Sequence, residues 1–169
     1  MSSFQSTVRY DLGFGVVGEI RLSYPVKSQA GVIYSATPAN NVVGRVFTQN
    51  TTSGLWGAGN VGAGGVTPSI LSQPKEYTTS GGAGGALTPT LTMLNEQEGV
   101  FLSKGMIVLQ VLTTTTPSLG DDLHFQQADG QIIAVAPGTA VASGNQLLAL
   151  GAVYMFPQPN ANGLILANL

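Results

Sequence analysis

The beginning of the chain alternates between apolar and polar positions. Over residues 8–24 most even positions are apolar, and most odd positions are polar or glycine. A period of two is typical of a β-strand with one buried face, whereas a helix would scatter these positions around its circumference. Gly13, Gly15 and Gly18 fall inside this run, and glycines within a strand often mark a bend or a bulge. The pattern therefore predicts two strands, or one long strand bent near 13–18.

Further strands are predicted from short runs rich in Val, Ile and aromatic residues. These runs are 30–34, 41–48, 106–116, 123–128, 131–136 and 148–156. Asp129-Gly130 separates two of them and predicts a two-residue hairpin turn. Such a turn would place Phe125 opposite Ala134 and Gln127 opposite Ile132.

Few segments depart from the strand pattern. A helical turn is expected only within 91–102, where Asn95, Glu96 and Glu98 could start it and Gly99 weakens it. Residues 54–65 and 80–85 are predicted to be glycine-rich loops, and residues 1–7 form a candidate N-terminal arm. The fold class predicted is all-β: a single domain over 1–169, built as a sandwich or barrel, with a jelly-roll-like arrangement among the possibilities.

The chain is poor in charge. Its 169 residues include 6 Lys or Arg and 8 Asp or Glu, which is 8% charged against about 25% in an ordinary soluble domain. The net charge is −2 and there is no cysteine, so no basic patch for nucleic acid and no disulfide or thiolate site is expected. No apolar run approaches the roughly 20 residues of a membrane helix, and residues 1–10 do not resemble a secretory signal. A surface with so little charge tends to self-associate or to be covered by a partner.

Motifs that could support chemistry have structural explanations. The GxGxxG pattern from Gly13 to Gly18 continues as strand rather than helix, so a bent strand is favoured over a nucleotide site. His124 is the one histidine and lies beside Asp121 and Asp122; we expect a turn before a strand, with His124 on its outer face. Glu96 and Glu98 are interpreted as part of a solvated loop. No enzyme activity, metal site or cofactor is therefore predicted.

Several segments of the sequence resemble one known protein family. FQSTVRYDLGFGVVGEI at 4–20 closely resembles the start of the structural cement, or head decoration, proteins of tailed bacteriophages and prophages. The resemblance continues in GRVFT at 44–48, PKEY at 74–77, PTLTMLN at 89–95, the apolar run at 106–111 and GDDLHF at 120–125. VTPSIL at 66–71 departs from the family, where a glycine and an aromatic residue are expected before Ile-Leu. No family marker occurs after Ala136.

The resemblance implies a non-enzymatic homodimer or homotrimer on the outer surface of the phage head. It would bind the major capsid protein, stabilise the shell against internal DNA pressure and pass through the host cytoplasm during assembly. Neither nucleic acid nor membrane is expected as a partner. The candidate contact residues are Phe4, Arg9, Asp11, Glu19, Arg21, Arg45, Trp56, Lys75 and Glu76. Rare charges could fix the register of such contacts; the alternative is a solvated strand face or a local ion pair worth under about 1 kcal/mol.

A second hypothesis remains open from the sequence. A virion-surface carbohydrate- or receptor-binding β-sandwich module could use Trp56, Tyr34, Tyr77 or Tyr154 as stacking platforms. Aromatic residues make up only 7% of the chain, and a single tryptophan is little for a sugar site. Trp56 itself is predicted either to be an exposed anchor or to tuck its loop onto the core.

Overall fold

Two antiparallel β-sheets form the fold in the computed structural model, which describes residues 16–21, 25–59, 68–73, 92–112, 116–155 and 163–169. The strands are β1 (Ile20–Arg21), β2 (Lys27–Val32), β3 (Val46–Gln49), β4 (Trp56–Ala58), β5 (Ser69–Leu71), β6 (Glu98–Lys104), β7 (Met106–Gln110), β8 (Asp122–Gln126), β9 (Ile132–Val135), β10 (Asn145–Met155) and β11 (Leu164–Asn168). The first sheet has the order β1-β7-β11-β10-β8-β9, and the second has the order β2-β6-β5-β3-β4. A 3-10 turn spans Pro38–Asn40, and the described ranges contain no α-helix. The predicted all-β, sandwich-like class is confirmed.

Most predicted strands are present, with shifted ends. β2, β3, β7, β8, β9 and β10 each overlap a predicted run, and Gly18, at φ 83°, makes the turn expected near 13–18. The helical turn predicted within 91–102 is wrong, because β6 occupies its second half and pairs with β2 on one side and β5 on the other. The loop prediction for residues 54–65 is wrong at Trp56–Ala58, which form strand β4. The early strand before Val16, the arm at 1–7 and the loop at 80–85 lie outside the described residues.

The first hydrophobic core lies between the two sheets. Alternate residues of the first sheet face inward, among them Leu109, Phe125 and Ile165, all at 0% exposure. Val46, Ile70 and Leu102 meet them from the second sheet. Burying each such side chain stabilises the fold by about 1.5–3 kcal/mol. Burial alternates with period two in β9, whereas β7 and β11 are buried on both faces, with Met106, Val108 and Leu166 in a smaller cluster of their own.

A second core covers the opposite face of the second sheet. Trp56 stacks on Phe101 with ring centroids 4.1 Å apart and an interplanar angle of 8°, and Phe47 packs against the same ring at 5.5 Å. Trp56 is 2% exposed, and a Cβ added to Gly31 would lie 2.3 Å from its Nε1. The prediction that Trp56 is an exposed surface contact is therefore wrong. The alternative prediction, in which Trp56 tucks its loop onto the core, is confirmed. Because both faces of the second sheet are buried at β4 and β5, these two strands are buried throughout and show no polar alternation.

Each sheet curls until strands from opposite sides meet. In the second sheet, Ile33 and Trp56 form a parallel bridge, and the Tyr34 N–H donates to the Trp56 carbonyl at 2.7 Å. In the first sheet, Val111 and Ile132 form a parallel bridge. Bridges of this kind protect sheet edges that would otherwise offer unpaired backbone groups.

The β8–β9 hairpin forms with a longer turn than predicted. Leu123 pairs with Ala134 and Phe125 with Ile132, so the predicted register is wrong by two residues. The Gly130 N–H donates to the Gln126 carbonyl at 2.9 Å, closing a four-residue loop. Gly130 has φ 75°, its carbonyl accepts the Val46 N–H at 2.9 Å, and an added Cβ would lie 2.2 Å from the Val46 oxygen. Docking of this turn onto β3 selects the four-residue loop.

We expect Gly130→Ala to destabilise the protein more than Gly138→Ala does. The two glycines have φ 75° and 76°, so alanine costs about 1–2 kcal/mol at either position for the left-handed backbone. Gly138 has open space around an added Cβ, whereas at Gly130 the backbone must also move, which adds about 1–3 kcal/mol. Urea unfolding of the wild type and both variants measures the difference. Equal losses would contradict the docked turn.

Trp56 also gives a spectroscopic prediction, because it is the one tryptophan in the chain. Its burial at 2% exposure under Gly31 predicts blue-shifted native emission and acrylamide quenching several-fold weaker than in the urea-unfolded chain. The unfolded protein is the internal control. Native quenching as strong as that of the unfolded chain would place the indole at the surface.

Candidate interaction surfaces

Five of the nine predicted contact residues lie outside the described part of the chain. They are Phe4, Arg9, Asp11, Lys75 and Glu76. Trp56 is in the second core, so Glu19, Arg21 and Arg45 are the predicted residues whose surface positions can be described.

Glu19 and Arg21 form an exposed ion pair at the edge of the first sheet. Their side chains are 38% and 37% exposed, and Oε1 of Glu19 lies 3.5 Å from Nη1 of Arg21. The other carboxylate oxygen, Oε2, accepts the Val16 N–H at 3.0 Å. An exposed pair of this kind contributes about 0.2–1 kcal/mol, so it shapes the turn before β1 while remaining accessible.

Arg45 uses its charge inside the molecule. Its Nη1 lies 3.5 Å from Oδ2 of Asp129 and donates at 3.3 Å to the Asp129 carbonyl and to Oδ1 of Asn40. The Arg45 and Asp129 side chains are 20% and 22% exposed. Arg45 therefore ties the 3-10 turn and the β8–β9 turn to the start of β3, which is the local ion pair that the sequence left as the alternative.

His124 is buried, so the outer-face position predicted for it is wrong. It is 2% exposed, and its Nε2 has no hydrogen-bond partner among the residues that the structure describes. Leu147 of β10 and Ile133 of β9 flank it in the sheet. Strand β9 ends opposite Asp122, at the start of β8, and β10 starts opposite Gln126, at the end of β8. Residues 136–144, which connect β9 to β10, must therefore run along the length of β8.

The carboxylates beside His124 serve turns, as predicted. Oδ2 of Asp121 accepts the Ser118 N–H at 2.7 Å, and Oδ2 of Asp122 accepts the Gly138 N–H at 2.9 Å. Within the described ranges no three His, Asp or Glu residues are grouped so that they could hold a metal ion. The same ranges contain no helix that is long and apolar enough to cross a membrane.

An exposed surface that the sequence reasoning missed lies on β2 and β6. These two strands, with the turn that precedes β6, are called here the β2–β6 ribbon (residues 27–34 and 96–104). Ala30 pairs with Val100, and Val32 pairs with Glu98; Val32, Tyr34 and Val100 are 41%, 50% and 37% exposed. The two-residue spacing of Val32 and Tyr34 predicts that they share a face of the strand. Only the packing shows that this face is exposed to solvent here, whereas Leu102 of the same strand pair is buried against the first sheet.

The charges at the ends of the ribbon were also missed as contact candidates. Lys27 and Lys104 are direct cross-strand partners at one end, and Glu96 and Glu98 lie at the other. All four are exposed. The available signal is their rarity in a charge-poor chain, but the sequence pattern favoured a solvated loop for Glu96 and Glu98.

Comparison with known proteins shows a similarity in fold. No family model and no curated protein matches the chain. Its fold is similar to that of a chain in the solved structure of the capsid of Myoviridae phage XM1, with a TM-score of 0.58 and 16% sequence identity. The match covers 99% of this chain and 97% of that chain. At this level of identity the likeness shows a common fold, extending over nearly the entire length of both chains.

Proposed function

We propose that the chain is a structural protein of a tailed phage that decorates the outer surface of the assembled head and stabilises its shell. The observation that carries this proposal is the fold shared with a phage XM1 capsid chain over nearly all of both chains. A shared fold alone does not assign a role. The resemblance of residues 4–20 to the cement proteins, an independent feature of the sequence, narrows the role to decoration.

The chemistry of the described surface agrees with a structural role. The single histidine is buried, Asp121 and Asp122 cap backbone groups in turns, and Arg45 and Asp129 pair with each other. These groups are buried or serve the fold and do not converge on a common cleft among the described residues. The protein is accordingly proposed to be non-enzymatic, with the major capsid protein as its partner and the virion as its location.

Stabilisation of the shell would follow from selective binding. A protein that binds the assembled head but not its dissociated subunits adds RT ln(1 + [L]/Kd) of stability per site, or about 2.7 kcal/mol at 100 times its Kd. An oligomer that contacts several capsid subunits at once gains further from effective concentration, provided that the geometry lets all contacts form together.

The carbohydrate-binding alternative loses its main platform. Trp56 is buried against Phe101, and Tyr77 lies outside the described residues. Tyr34 and Tyr154 are each 50% exposed, but Tyr34 follows β2 of the second sheet and Tyr154 belongs to β10 of the first. Two tyrosines on different sheets offer single stacking contacts, whereas a sugar site usually needs several convergent groups.

A co-sedimentation titration tests the proposal. Purified protein is added to phage heads that lack it, in expanded and unexpanded forms, and bound copies are counted per major capsid subunit. We expect saturation at a fixed ratio and a higher melting temperature of the head, because the ligand binds the assembled state. Competition by unlabelled protein controls for non-specific adsorption.

Absence of binding to both forms of the head would overturn the decoration role. Binding to host-cell polysaccharide in that case, measured on a glycan array, would support the alternative module instead.

A further inference from the structure

The charges of the described residues are distributed unevenly between internal and external use. Glu19 pairs with Arg21, Arg45 pairs with Asp129, and Asp121 and Asp122 accept backbone N–H groups. Lys27, Lys104, Glu96 and Glu98 remain, and within the described ranges their side chains form no ion pair or hydrogen bond. All four belong to the β2–β6 ribbon.

The basic end of the ribbon is electrostatically unfavourable by itself. Lys27 and Lys104 are cross-strand partners beside a shift of register between Lys27 and Ser28, and like charges opposite each other destabilise a strand pair. The Ser103 hydroxyl donates to the Lys27 carbonyl at 3.2 Å, which fixes the backbone beneath the two ammonium groups. An anionic partner would relieve the repulsion.

The acidic end is held rigidly. Glu96 has a φ of 69°, a conformation that costs a non-glycine residue of order 1–3 kcal/mol and persists only when its surroundings enforce it. Its N–H donates to the Ile33 carbonyl at 2.7 Å. The neighbouring Asn95 accepts the Ser35 N–H at 3.0 Å and returns a bond to the Ser35 carbonyl at 3.1 Å. Glu96 and Glu98 are thus presented from a fixed turn.

We propose that the β2–β6 ribbon is the surface through which two copies of this chain associate, with the lysine end of each copy against the glutamate end of the other. The six residues of β2 separate the two ends by roughly 20 Å. In a second copy related by a two-fold axis, the two glutamates lie opposite the two lysines of the first copy, and its two lysines lie opposite the two glutamates. Both oppositely charged contacts therefore form at once in one self-complementary interface.

The surface between the two charged ends of the ribbon is also suited to a contact between two copies. Ala30, Val32 and Val100 lie between them as small or apolar exposed side chains. Association would cover these side chains and shield the open part of the β2 edge. The proposal concerns self-association alone and does not require the capsid role.

Charge reversal tests the ribbon directly. The variants are K27E/K104E, E96K/E98K and the fourfold reversal of all four residues, with L119K/V141E as the control, which changes charge at two exposed positions outside the ribbon. Sedimentation equilibrium of the full chain at low and high salt measures self-association, and circular dichroism checks folding. The wild type is expected to self-associate, and to do so more weakly at high salt.

Each double reversal should weaken self-association on the order of tenfold or more at low salt, because it replaces attraction by repulsion at both ends of the dimer. Mixing the two double variants should restore a mixed dimer, and the fourfold reversal should restore the homodimer. The control should behave as the wild type does.

Three results would overturn the proposal: a wild type that stays monomeric, double variants that associate as the wild type does, or folded variants that fail to recover on mixing. A monomeric wild type whose double variants lose head binding would assign the ribbon to the capsid instead. Because sedimentation equilibrium uses no heads, a failure of the self-association proposal is distinct from a failure of the decoration role.

Discussion

The backbone of Val46 holds the two sheets together. Its N–H donates to the Gly130 carbonyl at 2.9 Å, and its carbonyl accepts the Gly59 N–H at 2.8 Å. A single residue of β3 therefore joins a turn of the first sheet to the end of β4, in a place where all three residues are buried. Unpaired groups there would cost about 1–3 kcal/mol each. The close approach requires glycine at position 130, and the Arg45–Asp129 pair reinforces the same junction.

This junction allows β3, β4 and β5 of the second sheet to be buried on both faces. Val46 contributes to the core between the sheets, while the adjacent Phe47 points into the second core with Trp56 and Phe101. Closure through the Ile33–Trp56 bridge completes that second core. The apolar residues are thus divided mainly between two cores, with a smaller cluster of Met106, Val108 and Leu166. The β2–β6 ribbon is left as an exposed, partly apolar surface.

A low charge content makes the position of each charge informative. Charged side chains that pair within the molecule stabilise its turns. The charged side chains of the β2–β6 ribbon, which have no partner among the described residues, are available to a second molecule. A decoration protein needs surfaces of this second kind, since it must meet both the shell and its own copies.

The sequence was sufficient to predict the all-β class, most strand positions, the existence of the β8–β9 hairpin and the turn at Asp121–Asp122, because these depend on local periodicity and on turn-forming residues. Short strands such as β4 and β5 gave no period-two signal, since both of their faces are buried. Among the candidate contacts, the sequence identified rare charges but could not say which of them already have partners.

The tertiary structure alone decided the hairpin register, the burial of Trp56 and His124, and the separation of paired from unpaired charges. Each depends on residues distant in the chain: Gly130 on Val46, Trp56 on Gly31, and Arg45 on Asp129. Local sequence determines what a segment can form. The contacts between segments determine which face is covered, because burial is a property of what packs against a residue.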